Sequence, residues 1–219
     1  SLSDKLKDSK VIYVAPLTDF DYFAIKQAKS NSKGAFDHKG SYEVGDFVDD
    51  AVDPNVSYEI VGSVSSEKLD ELNNLVLNKL RSIYGDDKIK AWPADMTNKM
   101  TGMWDQKNID CDYYFIFKRM SSNNPIMVNI VSTSNPGVSP RVAGGSDMIT
   151  IGLYEKAKAG KKGKVVAKAK NAIFKGVDPV EYSGDYKQSA NKLTEMATSN
   201  FSKVVEGTID DLLKEISTN

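Results

Sequence analysis

Tyr113-Tyr114-Phe115-Ile116-Phe117-Lys118 opens the part of the chain whose reading decides the fold. A six-residue run dominated by aromatic and β-branched side chains has the length and composition of a buried strand, and is too short for a core helix. Three more segments of the same kind follow, at residues 126–132, 148–154 and 164–170. They are separated by Ser121-Ser122-Asn123-Asn124-Pro125, by Asn135-Pro136-Gly137 and Gly144-Gly145 around a longer loop, and by Ala159-Gly160-Lys161-Lys162-Gly163. Clusters of Gly, Asn, Ser and Pro carry turn chemistry, so the spacing predicts antiparallel neighbours. In the last segment Val165, Ala167 and Ala169 alternate with Lys164, Lys168 and Lys170, which predicts one face against the core and one in water.

Upstream, Lys10-Val11-Ile12-Tyr13-Val14-Ala15 reads as a first strand stopped by Pro16, residues 56–61 as a second ended by Gly62, and residues 89–92 as a short third. Asp19-Phe20-Asp21-Tyr22-Phe23 opens a short element, and residues 30–41, with Gly34 and Gly40, read as a polar loop and the most mobile stretch. Between residues 66 and 84, Leu69, Leu72, Val76, Leu80 and Ile83 fall on one helical face, ahead of Gly85 as a stop. Asp95 can cap a helix carrying Met96, Met100, Met103 and Trp104. At the end of the chain Tyr186, Ala190, Leu193, Ala197, Phe201 and Val204 keep helical spacing. Gly207 followed by Thr208-Ile209-Asp210-Asp211 predicts a stop and a capped restart, hence two consecutive helices. The sum is an α/β protein of the α+β kind: one mixed, largely antiparallel sheet covered by amphipathic helices at 66–84 and 185–216. Residues 10–219 form a single domain behind a flexible N-terminal tether at 1–9.

The chain has 219 residues, 40% hydrophobic and 27% charged, and its 29 basic and 30 acidic side chains leave a net charge of −1. Such a length folds around one sizeable core, burying roughly 70% of the unfolded surface without help from disulfides or metal. Near-neutrality supplies no field to gather nucleic acid, and no apolar run approaches the roughly 20 residues that span a bilayer. Cys111 is the only cysteine, flanked by Asp110 and Asp112, which oppose a thiolate. His38, the only histidine, sits in a polar loop and excludes every site that needs two. No Gly-x-Ser-x-Gly elbow occurs, and Gly160-Lys161-Lys162-Gly163-Lys164 runs into a strand without the Ser or Thr and helix N-terminus of a phosphate loop. Asp46, Asp49, Asp50 and Asp53 are interrupted by Ala51 and Val52 in a way a calcium loop does not tolerate. No catalytic, cofactor-binding or metal-binding residues are assigned.

Two stretches remain as candidate partner-binding surfaces. The first is basic: residues 156–175 hold eight lysines and no acidic residue, with Lys161, Lys162, Lys164 and Lys168 on a hairpin. It suits an acidic partner, a lipid headgroup or a polyanionic glycan, beside the plainer reading of an edge kept soluble by lysine. The second is the Met96, Met100, Met103 and Trp104 stripe, a deformable apolar surface if exposed and a sheet-packing face otherwise.

The succession of Val11-Ile12-Tyr13-Val14-Ala15-Pro16, a central amphipathic helix, Cys111-Asp112-Tyr113-Tyr114-Phe115-Ile116, Gly144-Gly145-Ser146, the 148–154 strand, Gly163-Lys164-Val165-Val166-Ala167 and a terminal helix resembles uncharacterised bacterial cell-envelope lipoproteins. Their domains are similar to the N-terminal domain of TolB and to the activator lipoproteins of penicillin-binding proteins. The match is closest over residues 112–205, about two fifths of the chain, and this chain adds a long polar insertion between residues 30 and 55. The resemblance implies a non-enzymatic periplasmic or outer-membrane protein anchored through an upstream lipidated cysteine, with residues 1–9 as the rest of its tether. Its expected partner is an envelope protein or polymer. Three alternatives stay open: a carrier with an apolar pocket between the sheet and the Met96 to Trp104 helix, an enzyme using carboxylates such as Asp19, Asp21 or Glu59, and a cytoplasmic binding domain.

Overall fold

Backbone pairing divides the strands between two five-stranded mixed sheets in a computed structural model that describes residues 1–18, 22–28, 56–97, 103–120, 125–131, 135, 137–158, 161 and 163–219. The elements are α1 (Leu2–Asp8), β1 (Ile12–Ala15), β2 (Tyr22–Ala28), β3 (Val56–Ser63), α2 (Ser66–Tyr84), β4 (Ile89–Ala91), a 3-10 turn (Ala94–Met96), β5 (Tyr113–Met120), β6 (Ile126–Val131), β7 (Arg141–Gly144), β8 (Met148–Glu155), β9 (Lys164–Ala172), β10 (Val180–Glu181) and α3 (Tyr186–Thr218). The first sheet has the order β4-β1-β5-β8-β9, with β1 parallel to both neighbours and the rest antiparallel. The second has the order β10-β7-β6-β2-β3, with only β6 and β2 parallel.

The α+β class expected from the sequence stands, with its strands in two sheets where one was expected. The division falls between β5 and β6. Both are buried on both faces along most of their length, and each is the central strand of its own sheet: β5 pairs with β1 and β8, and β6 with β2 and β7, so neither takes the other as a neighbour. β5 and β6, the strands that flank residues 121–124, do not pair with each other.

The inner faces of both sheets and all three helices share one apolar cluster. Ile12, Val14, Phe115 and Phe117 meet it from the first sheet, and Phe23, Ile25, Ile126 and Val128 from the second. On α2 the buried face is Leu72, Val76, Leu80 and Tyr84; Ser65 caps its start through the Lys68 N–H, and Gly85, at φ 106°, ends it. Asp147 ties the sheets together. Its carboxylate accepts from the Met127 N–H of β6 at 3.1 Å, while the Arg119 guanidinium of β5 lies 4.0 Å away, both side chains fully buried.

Three expected elements differ. Residues 2–8 form a helix where a flexible tether was expected: Ser1 and Asp4 make a reciprocal capping box, and Leu2 and Leu6 are buried. Two hydrophobic side chains four residues apart, packed against α3, outweigh the polarity of the rest. The terminal helix is continuous over 33 residues, about 50 Å, with no break at Gly207. Thr208 does not cap a restart. Its hydroxyl donates back to the Val204 carbonyl at 2.7 Å and accepts from Asn171 on β9 at 2.9 Å, and the buried face runs on through Ile209, Leu212 and Ile216. The third difference lies at Met96 to Trp104 and bears on the site.

Candidate functional site

Alternation along a strand sends every second side chain of the first sheet away from the core, and the register arranges these in rows. Tyr13, Tyr114, Tyr154 and Val165 form one row; Ala15, Ile116, Gly152 and Lys168 the next; Lys118, Thr150 and Lys170 the third; Met120, Met148 and Ala172 the last. No carboxylate occupies these positions.

Trp92, Met96, Trp104, Ile109 and Cys111 cover the tyrosine end of this outer face. Trp92, Ile109, Tyr114 and Ile116 are buried together as a second, smaller apolar cluster, with Met96, Trp104, Cys111 and Tyr154 packed around it. Trp92 lies edge-on to Tyr114 with ring centroids 5.4 Å apart, Trp104 follows at 6.0 Å from Trp92, and Tyr114 stacks on Tyr154 at 5.4 Å with the rings parallel within 1°. Such pairs add to stability beyond the area they bury.

The helix expected to carry the methionines is replaced, in its described parts, by a short 3-10 turn and extended chain. Ala94–Met96 has no side-chain cap, Thr97 is extended and bridges Trp104, and the Asp105 N–H donates to the Met96 carbonyl at 2.8 Å. Trp92 holds the turn by donating its indole N–H to the same carbonyl at 2.8 Å. Met96 is half-buried against the aromatics, Met103 is 58% exposed, and Met100 lies outside the described residues. The helix wall that the apolar-carrier alternative required is therefore not formed by these residues.

The basic hairpin is rooted in the same cluster. The buried Tyr114 hydroxyl donates to Gln106 Oε1 at 3.0 Å and packs against Gly163. Burial, reinforced by Tyr154, pushes that hydroxyl's pKa up to about 12. Gly163 sits so close that a Cβ there would lie 2.0 Å from the Tyr114 oxygen. The Lys156 N–H donates to the Asp112 carbonyl at 2.8 Å and closes the hairpin against the covering segment. Two stretches read separately from the sequence thus meet on one surface. Lys161, Lys164 and Lys168 are exposed, while Lys162 lies outside the described residues. Lys164 stands opposite Glu155 in the register, whereas Lys168 faces Gly152.

Sequence reasoning missed Lys118 and Tyr154 as members of this surface. Lys118 lies far along the chain from the hairpin, and the β5–β8 pairing brings it level with Thr150 and Lys170. The available signal was the alternation Tyr114, Ile116, Lys118, which puts the lysine on the tyrosine's face.

Elsewhere the chemistry is sparse. The Cys111 thiol is half-buried, and burial, with smaller contributions from Asp112 and Asp110, raises its pKa to about 11, so it is a thiol at neutral pH. Glu59 pairs with Lys187 at 3.2 Å; Asp19, Asp21, His38 and the acidic run from Asp46 to Asp53 lie outside the described residues. Among the described residues no three His, Cys, Asp or Glu side chains are grouped to hold a metal, and no helix is long and apolar enough to cross a membrane. Two open grooves of about 580 and 660 Å³ flank α3, sharing Glu195 and Ser199; Lys192, Glu195 and Lys203 line the first, and Glu195 is the ionisable residue of the second. No family model, curated protein or solved structure matches the chain.

Proposed function

We propose that this protein is a non-enzymatic binding or scaffolding domain of the bacterial cell envelope, and that it engages an envelope protein or polymer through the outer face of the first sheet. The observation that carries the reading is the meeting of the Trp92 to Trp104 segment and the basic hairpin at Tyr114. Exposed lysines and the half-buried Tyr154 beside a packed aromatic cluster make a surface for recognition. Strands and a packed cluster hold it, as a precise binding face requires. The envelope assignment, with a lipid anchor upstream, rests on the resemblance described above.

The test is retention of the full chain on peptidoglycan sacculi and on immobilised envelope extract, at low and at moderate salt. The wild type is expected to be retained, and a Tyr154→Ser, Lys168→Glu variant of unchanged thermal stability to be released. Equal behaviour of the two chains, or no retention of either, refutes the reading.

A further inference from the structure

We infer that the free edge of β3 docks an extended polypeptide segment, which adds to the second sheet as a further strand and presents a basic side chain to Glu195 of α3. The two sheets have four edge strands, and three of them carry the usual protection against pairing. β4 and β10 are only three and two residues long, and β9 bears Lys164, Lys168 and Lys170. β3 runs for eight residues without Lys, Arg or Pro, and among the described residues no strand pairs with its other side. Such an edge offers a row of backbone N–H and C=O groups, and the ligand whose own groups repeat at that spacing is another strand.

α3 runs beside the same strand. Glu59 pairs with Lys187 at 3.2 Å in the first turn of the helix, and two turns on, a Cβ on Gly62 would come 2.7 Å from the Thr194 hydroxyl oxygen. Val61, which has no partner on β2, is a bulge, and a bulge bends its strand. The open groove of about 660 Å³ lies here, with Gly62 and Ser63 on one wall and Asn191, Glu195 and Thr198 on the other. From Asn191 to Thr198 the helix advances about 10 Å, which accommodates two side chains from one face of a strand, about 7 Å apart. Glu195 is exposed and is the one charged group of the groove, whereas Glu59 already has Lys187, so the incoming chain carries Lys or Arg on this side. On the opposite face Ile60 is 58% exposed and fits an apolar, β-branched neighbour. The occupant is therefore a segment that alternates basic or polar residues with apolar ones. A second copy of this chain, paired about a two-fold axis, would set the Glu195-bearing patch against itself.

The probe is a fluorescein-labelled peptide in which valine alternates with lysine and threonine, titrated with the full chain and read by anisotropy. In one parallel arm glutamate replaces its lysines, and in another its backbone amides are N-methylated. The lysine peptide is expected to saturate, and the N-methylated one to bind at least about tenfold more weakly, because it cannot donate to the edge. Glu195→Lys is expected to weaken the lysine peptide about fivefold or more and to strengthen the glutamate peptide by a similar factor. Ile60→Lys, which gives β3 the protection that β9 has, is expected to weaken both peptides about fivefold. Lys168→Gln, on the other long edge, leaves binding within about twofold. Should Ile60→Lys unfold the protein, the reversal of preference by Glu195→Lys and the N-methylated arm carry the test. No binding of the lysine peptide, equal binding of its N-methylated form, or a preference that Glu195→Lys leaves unchanged overturns the inference. Self-association of the chain that Ile60→Lys abolishes, with no peptide bound, assigns the edge to a second copy and overturns it too. Retention through the outer face of the first sheet does not depend on Ile60 or Glu195, so either reading can fail without the other.

Discussion

Replacing Gly163 by alanine tests the junction between the basic hairpin and the aromatic cluster. The added methyl would lie 2.0 Å from the Tyr114 hydroxyl oxygen and 2.9 Å from the Glu155 carbonyl, so one of them must move by well over an ångström. Tyr114 has little freedom to do so: it is fully buried, stacked on Tyr154 and edge-on to Trp92. The backbone of Gly163 is outside the left-handed region, so the cost is steric. Overpacking costs about 1–3 kcal/mol. Tyr114→Phe alone removes the hydrogen bond to Gln106, at about 1 kcal/mol. In the double variant the oxygen is gone before the methyl arrives, so the combined loss falls short of the sum by about 1 kcal/mol or more. Urea unfolding followed by tryptophan fluorescence reads this directly, since Trp92 and Trp104 both sit in the cluster. Strict additivity, or a Gly163→Ala variant as stable as the wild type, refutes the described contact.

The other predictions address the elements that differ from sequence expectation. Gly207→Ala should stabilise the protein by about 1 kcal/mol in thermal or urea unfolding, because Gly207 lies inside a continuous helix and its added Cβ meets nothing within 4 Å; a neutral or negative effect would mean that α3 is interrupted. Leu6→Ala should destabilise by about 2–5 kcal/mol, as for any fully buried leucine, where a loose tether would register no change. Alkylation of Cys111 by iodoacetamide should be slow at neutral pH and keep accelerating as the pH rises towards its pKa of about 11. A rate that levels off below pH 9 would show an ordinary thiol.

What could be read from the sequence was local. Leu72, Val76 and Leu80 announce α2 because a helix satisfies its own backbone and needs only one apolar stripe. The alternation in β9 shows which side of the hairpin meets water from Ala167 to Lys170 but not before it: a bulge sets Val165 opposite Tyr154, so Val165, expected to face the core, is 45% exposed in the outer row, and Lys164 lies on the other face, level with Glu155. Partner choice was hidden. Nothing in Tyr113 to Met120 or Ile126 to Val131 tells that these central strands belong to different sheets, because both are apolar on both faces and the register reverses sequence order. The Met96 to Trp104 stripe misled because Trp92 claims the Met96 carbonyl and Thr97, extended, bridges Trp104, contacts that helical spacing does not announce. Thr208 misled for a related reason: a threonine after glycine caps a helix in isolation, but here Asn171 and the Val204 carbonyl claim its hydroxyl. Of the binding surface, the hairpin lysines and Trp104 were legible, and Lys118 was not, because only the pairing across β8 brings it there.

The placement of β1 has a consequence for how the chain is made. β1 lies between β4 and β5, pairing with Ile89 on one side and Tyr113 on the other, and Leu6 of α1 joins the cluster that α3 completes. As the nascent polypeptide leaves the ribosome, β1 must therefore wait until β4 and β5 have both been translated before its two edges are covered. The first helix waits until α3 has been made. Non-local closure of this kind slows folding and leaves naked strand edges in the interim. Truncated products that lack the final helix would forfeit the first one as well, so incomplete synthesis yields sticky fragments rather than a smaller stable unit.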